Sequence, residues 1–351
     1  MPRGPEFGTK RGMSDLDQLL NTRGKTAELG AHVVAACFDA TGRCGAFAMG
    51  DGSLRMAVEG VWSRVPAHDG AVLSLARHPA AAGFVSGGDD GRLLAVGLEG
   101  GVAEIARFGS KWVEHVAGYA GKTPLLAAAV GKNLHLFNGK GESLRTLPHP
   151  STVTGIAFDG KGKRVAASHY NGASLWFSAS TSETPRKLEW KGSHTGIVMH
   201  PQGEAVVTSM QENALHGWTL PEGKHMRMAG YPAKCESFGF THSGRWLATG
   251  GADTVVLWPF FGGGPMGKAP LELGMGDGIV KRIACHPQSE VLAAGFDSGL
   301  LLLIDIAQEE ILPVCGPGRG AVSALAWNPS GSHLAFGTAS GFAGVMDFSR
   351  R

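Results

Sequence analysis

Histidine is the residue type of this chain best suited to chemistry, because the sequence contains 14 copies of it. Four of them recur at similar places in a series of Pro- or Gly-containing turns, namely His78, His200, His242 and His286. Two side chains that bind one zinc ion must lie within roughly 4 Å of each other, whereas equivalent turns of different repeats are farther apart. We therefore predict exposed turn histidines and no metal ligand. His194 and Cys235 are predicted to pack in the core.

A glycine-rich segment at residues 262–269 resembles a phosphate-binding loop. Such a loop needs a hydroxyl after its lysine to bind Mg²⁺, but Ala269 follows Lys268. It also needs a helix after it, and Pro270 comes next. We therefore predict a flexible loop and no nucleotide site. The sequence also contains no nucleophile elbow, His-Glu-x-x-His pair or Cys-x-x-Cys pair. We expect no catalytic residue and no cofactor.

The composition argues against two classes of partner. The 32 basic and 30 acidic residues give a formal net charge of +2, so nothing attracts the chain to nucleic acid or to an anionic membrane. No apolar run approaches the roughly 18 residues of a membrane span. The five cysteines are odd in number and scattered, which favours a reducing cytoplasm over a disulfide framework. The richness in Ala, Gly and Arg indicates a GC-rich bacterial source.

The first residues are set aside from the fold. Residues 1–12 are interpreted as an expression-tag scar before a native start at Met13. Residues 13–24 are predicted to form an N-terminal extension. Residues 25–351 are predicted to form a single domain, because β folds often run longer than 200 residues as one unit.

A repeat organises that domain, and its clearest copy is His149 to Trp176. Three short apolar strands are separated there by two Gly-containing turns, Asp159–Gly162 and Asn171–Gly172. Versions of the pattern recur every 39 to 45 residues along the chain. One apolar column marks the eight repeats: Val33, Val72, Trp112, Val153, His194, Cys235, Val280 and Val322. Three of the third strands end in tryptophan: Trp176, Trp218 and Trp258.

This pattern resembles the WD40 repeat family, with degenerate repeats. The resemblance implies an all-β propeller of eight four-stranded blades, or alternatively seven blades with repeat one or three serving as something else. It also implies that an N-terminal strand, here Lys25–Leu29, closes the ring beside Phe342–Phe348. Apolar residues between stacked blades would supply the core.

Family repeats carry a His before the first strand and an Asp in the second turn, which restrain the blade together with a hydroxyl and the Trp. Only His68 and His149 keep the histidine. Asp90 is the expected partner of His68, whereas His149 faces Asn171. We assign a structural role to His68, Asp90, His149, Trp176, Trp218 and Trp258.

The loops before the first strands and the second turns form the narrower face of the family fold, where partners bind. Aromatic and Arg residues are common interface anchors. The candidate partner-binding residues on this face are Lys111, Trp112, Glu114, Tyr170, Trp190, Lys191, Gln211, Tyr231, Lys234, Lys281, Arg282 and Phe296. Packing is the alternative for Trp112, which falls in the apolar column, and for Trp190 and Tyr231, which replace the family histidine.

These observations predict a non-enzymatic scaffold that binds a protein or peptide through the narrower face and the central channel. The alternative is a propeller with a small-molecule or metal site in its channel, as an enzyme or a metal-handling accessory. A monomer is the default expectation. Fold alone does not decide between the two functions.

Overall fold

The computed structural model describes residues 16–349, which contain the helix α1 (Gln18–Arg23) and thirty β-strands. The first strands are β1 (Gly24–Glu28), β2 (Val33–Phe38), β3 (Cys44–Met49), β4 (Ser53–Val58), β5 (Val61–Pro66), β6 (Val72–Arg77), β7 (Phe84–Gly88), β8 (Arg92–Val96), β9 (Val102–Arg107), β10 (His115–Tyr119), β11 (Leu125–Val130), β12 (Asn133–Asn138), β13 (Ser143–Pro148), β14 (Gly155–Phe158) and β15 (Arg164–Phe177). The others are β16 (Arg186–Met199), β17 (Ala205–Met210), β18 (Ala214–Thr219), β19 (His225–Ala229), β20 (Phe238–Phe240), β21 (Trp246–Thr249), β22 (Val255–Pro259), β23 (Leu271–Leu273), β24 (Val280–Cys285), β25 (Val291–Phe296), β26 (Leu301–Asp305), β27 (Glu310–Cys315), β28 (Val322–Trp327), β29 (His333–Thr338) and β30 (Phe342–Asp347).

The strands form an all-β propeller, which confirms the predicted fold class. Each sheet is an antiparallel meander, and the first strands of the repeats follow one another in a closed ring around a central channel. The second strands are packed between neighbouring sheets, so β3, β11 and β17 are buried along their whole length. Outer strands alternate buried and exposed residues, as β19 does, because one of their faces meets solvent.

The number of sheets corrects the prediction of eight separate blades. Within residues 16–349 there are seven hydrogen-bonded sheets, as in the seven-blade alternative, and one of them has six strands. That wide sheet, β14 to β19, carries repeats four and five together. Both repeats are still present. The long strand β15 contains the second and third strands of repeat four, and β16 contains the last strand of repeat four and the first strand of repeat five. The amide of Ser178 donates to the carbonyl of Lys163 at 2.9 Å, so the 14-residue β15 folds back into a hairpin.

The ring closes as the sequence predicts. Strand β1 pairs antiparallel with β30, from Gly24 opposite Met346 to Glu28 opposite Phe342. Helix α1 adds a second attachment just before this strand. Its Leu20 is buried against the last sheets, and the carboxylate of Asp17 accepts a 2.6 Å hydrogen bond from Arg319. The closing sheet therefore contains the first and the last strand of the described residues, and β1 covers the edge of β30. Residues 1–12, interpreted as a tag scar, lie outside the described residues.

The predicted apolar column is correct in seven repeats and one residue early in repeat three. Seven of its members are at most 1% exposed: Val33, Val72, Val153, His194, Cys235, Val280 and Val322. In repeat three, Val113 has 0% exposure and Trp112 has 56%. The amide of Val113 donates to the carbonyl of Gly88 in the preceding repeat, which fixes this register. Trp112 therefore lies on the surface and is not part of the core.

The prediction of exposed turn histidines is wrong for His200. Its side chain is buried, and its Nε2 donates to the carbonyl of Gly244 in the turn of the next repeat at 2.9 Å. His286 is half-buried and donates to the Gly331 carbonyl at 3.1 Å in the same way. These imidazoles join neighbouring repeats, because a turn carbonyl needs a donor once it is removed from water.

The glycine-rich segment lies in the connection between β22 and β23, outside the regular strands. Lys268 donates to the carbonyls of Phe261 and Gly262 and lies 5.1 Å from the centre of the Phe261 ring. Its ammonium group thus closes the loop on itself. Among residues 16–349, no helix is long and apolar enough to cross a membrane.

Candidate interaction face

We define the loop face as the side of the ring formed by the loops before the first strands and by the second turn of each repeat. Both lie on one side because the strands of a meander alternate in direction, so every second connection returns to the same face. In repeat four, the Tyr170 amide in the second turn donates to Ser151 Oγ in the preceding loop at 2.9 Å. The two kinds of connection therefore form one continuous surface.

Five of the predicted partner-binding residues are exposed on this face in repeats three to five. They are Lys111, Trp112, Tyr170, Lys191 and Gln211. The two aromatic side chains are the largest of them, with 56% of Trp112 and 54% of Tyr170 exposed. Each lies outside the packed core of its repeat, so these residues could meet a partner without any rearrangement of the ring.

Tyr231 and Phe296 do not belong to the exposed face, which corrects two of the predicted residues. Phe296 is fully buried between repeats six and seven. Tyr231 is 8% exposed, and its hydroxyl joins Trp258 Nε1 at 2.6 Å to Thr249 Oγ1 at 2.7 Å. Burial raises the pKa of Tyr231 beyond its usual range. Both residues hold the fold together and cannot contact a partner.

Trp190 packs locally, which was the alternative interpretation of this residue. Its indole is half-buried and stacks on His216 with ring centres 4.0 Å apart and an angle of 15° between the planes. His225 completes the stack, since its Nδ1 lies 3.0 Å from His216 Nε2. Burial, and then the neighbouring His225, lower the pKa of His216 to about 3. His216 is therefore neutral at ordinary pH, and it packs as an aromatic ring against Trp190.

Lys281 and Arg282 lie on the first strand of repeat seven and form ion pairs within the ring. Lys281 Nζ is 3.0 Å and Arg282 Nη1 is 3.4 Å from the carboxylate of Glu236 in repeat six. Burial opposes ionisation, but the two cations together lower the pKa of Glu236. Arg282 Nε also donates to the Ser323 carbonyl of repeat eight at 2.7 Å. These charges are largely satisfied by neighbouring repeats.

The remaining two predicted face residues are half-buried. Glu114 lies next to the first strand of repeat three, and burial raises its pKa. Lys234 lies before the first strand of repeat six. Neither is as open as the exposed residues of repeats three to five.

Five of the six residues assigned a structural role form polar contacts inside the repeats; the exception is Trp218, whose Nε1 has no hydrogen-bond partner among residues 16–349. In repeat two, His68 Nδ1 donates to Asp90 Oδ1, and His68 Nε2 contacts Ser86 Oγ, both at 2.9 Å. Burial works against the charge of Asp90, but the hydrogen bond from His68 lowers the pKa of this carboxyl. In repeat four, Trp176 Nε1 donates to His149 Nε2 at 3.2 Å. The network of repeat two satisfies polar atoms that the packing removes from water, whereas that of repeat four leaves His149 Nδ1 without a hydrogen-bond partner among residues 16–349.

Trp258 takes part in the network of Tyr231, and the indole of Trp218 is 99% buried. Tyr231 thus forms hydrogen bonds within repeat six, as the histidine of the family pattern does within repeats two and four. The sequence indicated this exchange, since Tyr231 occupies the histidine column.

A cavity of about 500 Å³ opens beside the second turn of repeat four, a feature that the sequence did not reveal. The rings of His149 and His169 line it, together with Tyr170 and Asn171. Its volume falls in the range of small-ligand sites. A cavity of about 740 Å³ lies elsewhere, where β1 passes the first turn of repeat one. No residue of the described range that lines the second cavity has a buried side-chain nitrogen or oxygen without a hydrogen-bond partner.

Metal ligands are not gathered in the part of the chain that the structure describes. No group of three or more His, Cys, Asp or Glu side chains in residues 16–349 could hold a metal ion. Comparison of the sequence with models of known protein families and with curated proteins finds no match to either.

Proposed function

We propose that this chain is a WD40-like, non-enzymatic scaffold of the cytoplasm that binds a protein or peptide partner on its loop face. The observation that carries the proposal is the exposure of Trp112 and Tyr170 on consecutive repeats of that face. Large aromatic side chains bury much apolar surface at little conformational cost, which is why they dominate the energy of many interfaces.

The surroundings of the two aromatic residues support this proposal. Lys111 precedes Trp112, and Lys191 is exposed in the neighbouring repeat. Cations beside aromatic anchors favour a partner with carboxylates or exposed carbonyl groups. The ring is closed through the pairing of β1 with β30, so we expect binding to leave its backbone nearly unchanged.

The WD40 assignment is supported by the hydrogen bonds of repeat two. His68, Ser86 and Asp90 form the arrangement that the family resemblance implies for a well-formed repeat. The closing strand and the repeat length are also those of the family. The other repeats replace this network with apolar packing or with related groups such as Tyr231.

The test is affinity capture from the cell of origin with four purified proteins. They are the wild type, Trp112→Ala, Tyr170→Ala and a control, Phe177→Ala. Phe177 is a matched control because it is an aromatic residue with 60% exposure at the end of β15 on the opposite face. We expect a partner that the wild type and Phe177→Ala capture equally and that both loop-face variants lose.

Circular dichroism and thermal unfolding should be unchanged in all three variants, since exposed side chains contribute little to stability. If every captured protein is retained by both Trp112→Ala and Tyr170→Ala, the loop face of repeats three to five is not the binding surface. If Phe177→Ala loses the same partner, binding does not depend on the chosen face.

A further inference from the structure

Repeat four keeps the histidine of the polar network but has no carboxylate to receive its proton. In repeat two, Asp90 lies 22 residues after His68, and its carboxylate accepts the His68 Nδ1–H and the amide of Asp69. In repeat four, the residue 22 positions after His149 is Asn171. The cavity of about 500 Å³ opens between these two side chains, both of which line it.

The proton of His149 can be placed from its partner. Trp176 Nε1 is only a donor, so the 3.2 Å contact makes His149 Nε2 the acceptor. The neutral imidazole therefore carries its hydrogen on Nδ1. Burial, and then the nearby His169, lower the pKa of His149 to about 4, so the ring is neutral near pH 7.

This Nδ1–H is a buried donor without an acceptor. The His149 side chain is 95% buried, and no atom of residues 16–349 forms a hydrogen bond with its Nδ1. Leaving such a donor unpaired is unfavourable, so an oxygen that reaches it gains affinity. The carbonyls of Leu147 and Lys132 raise the pKa of the ring, but neither of them forms a hydrogen bond with Nδ1.

Asn171 does not fill the role of Asp90. Its backbone is left-handed, with φ of 67°, and its Oδ1 accepts the Gly192 amide at 3.2 Å. The side-chain NH₂ of Asn171 therefore remains as a second donor at the cavity. Pro150 stands where repeat two has Asp69, so the matching backbone donor is absent. The polar side of the cavity thus presents hydrogen-bond donors, and a ligand that fits it must supply an acceptor.

The other walls are apolar or oppositely charged. Three prolines and an aliphatic pair make up the apolar part: Pro148, Pro150, Pro185, Ala173 and Leu188. Lys187 and Glu189 also line the cavity, and their charges offset each other. Tyr170 stands at its exposed rim. A suitable ligand therefore combines a carboxylate with an adjacent apolar group.

We propose that the cavity of repeat four binds the C-terminal carboxylate of a peptide whose last side chain is apolar. The carboxylate accepts His149 Nδ1–H and the Asn171 amide, and the last side chain packs on the proline-rich wall. A chain end carries both groups in one residue, whereas an internal Asp or Glu carries no apolar side chain of its own. The proposal rests on the proposed function and names the chemistry of its partner.

The experiment uses two pools of N-acetylated pentapeptides with the same sequences, one with free C-terminal carboxylates and one with carboxamides. Each pool is incubated with the whole protein, and the peptides that co-elute with it are measured by mass spectrometry. We expect apolar-ended free acids to be retained about tenfold over their amides, which corresponds to about 1.4 kcal/mol.

The deciding variant is Asn171→Asp, which supplies a carboxylate from within the chain at the position that Asp90 occupies in repeat two. It should fold as the wild type does and lose the preference for free acids. The control is Asn213→Asp. Asn213 is also left-handed, with φ of 52°, on the second turn of repeat five, and it does not line the cavity. This control adds the same charge to the same face and should keep the preference.

Three outcomes would overturn the proposal: equal retention of acids and amides, retention of neither pool, or an unchanged preference in Asn171→Asp. A loss in Asn213→Asp equal to that in Asn171→Asp would overturn it too, since general charge repulsion would then explain both. The two proposals fail separately. Peptides retained without regard to their end groups, and lost in Trp112→Ala, would leave the scaffold function standing and remove the carboxylate site.

Discussion

Removal of one hydroxyl tests whether Tyr231 supports the fold or contacts a partner. In Tyr231→Phe, Trp258 Nε1–H loses its acceptor at 2.6 Å and Thr249 Oγ1 loses its partner at 2.7 Å. Thr249 keeps its own bond to the Val256 carbonyl at 2.8 Å. A buried group left without its partner costs about 1–3 kcal/mol. We expect the free energy of unfolding to fall by about 2 kcal/mol.

The assay is urea unfolding followed by tryptophan fluorescence, with the free energy obtained by linear extrapolation. Tyr170→Phe is the matched control, because it removes the same hydroxyl from a side chain that is 54% exposed. The control should change stability by less than about 0.5 kcal/mol. Tyr231→Phe should also capture the same partners as the wild type. Equal stability of the two variants, or a loss of partners in Tyr231→Phe alone, would refute the structural role.

Two further predictions concern pH and ring closure. Burial holds the pKa of His149 at about 4 and that of His216 at about 3, below the ordinary value of 6.5, so the unfolded chain binds protons first as the pH falls. The contribution of these two histidines to the free energy of unfolding should be fully present above pH 6.5, and the free energy should fall by several kcal/mol towards pH 4. The measurement is the urea midpoint as a function of pH. A midpoint that does not change with pH would contradict buried neutral rings. Deletion of Lys25–Leu29 removes most of β1, exposes the edge of β30 and should lower the melting temperature and promote aggregation. Unchanged thermal unfolding would contradict this closure.

The sequence predicted most of the fold because its signal repeats. Turns, small-residue strands and the apolar column recur often enough that one imperfect copy does not hide the pattern. The error in repeat three shows the limit. Trp112 and Val113 are both apolar, and only the backbone bond from Val113 to Gly88 decides which of them faces inward. Trp112 and Val113 lie in the loop before β10, and the spacing of the repeats alone does not fix which of two adjacent loop residues faces inward.

The sequence also did not predict where one hydrogen-bonded sheet ends and the next begins. The second turn of repeat four is so tight that the two arms of β15 remain one continuous strand, and β16 passes from repeat four into repeat five. The left-handed Asn171 and Gly172 make that tight turn possible. The sequence showed the turn residues, but whether a chain stays hydrogen-bonded through a turn depends on the neighbouring strand.

Candidate site residues were harder to predict, because an aromatic side chain at a repeat boundary can either pack into the core or face the solvent. Trp190 and Tyr231 both replace a histidine, and both turned inward to stack or bond with neighbours. Tyr170 turned outward because it follows the buried His169 in β15, where successive side chains point to opposite faces. The difference lies in what each side chain meets: His216 offers a flat ring and Thr249 a hydroxyl. Such partners are supplied by residues 18 to 27 positions away in the sequence.

The polar networks also explain why repeat four is the place to look for a ligand. Repeat two encloses its own carboxylate, and repeat six replaces the histidine with Tyr231, whose hydroxyl serves as both donor and acceptor. Both solutions satisfy every group of the network internally. Repeat four keeps a histidine and a tryptophan, which together require one more acceptor, and has Asn171 turned towards Gly192. A repeat that departs from the pattern by one residue thus leaves a donor that a partner can use.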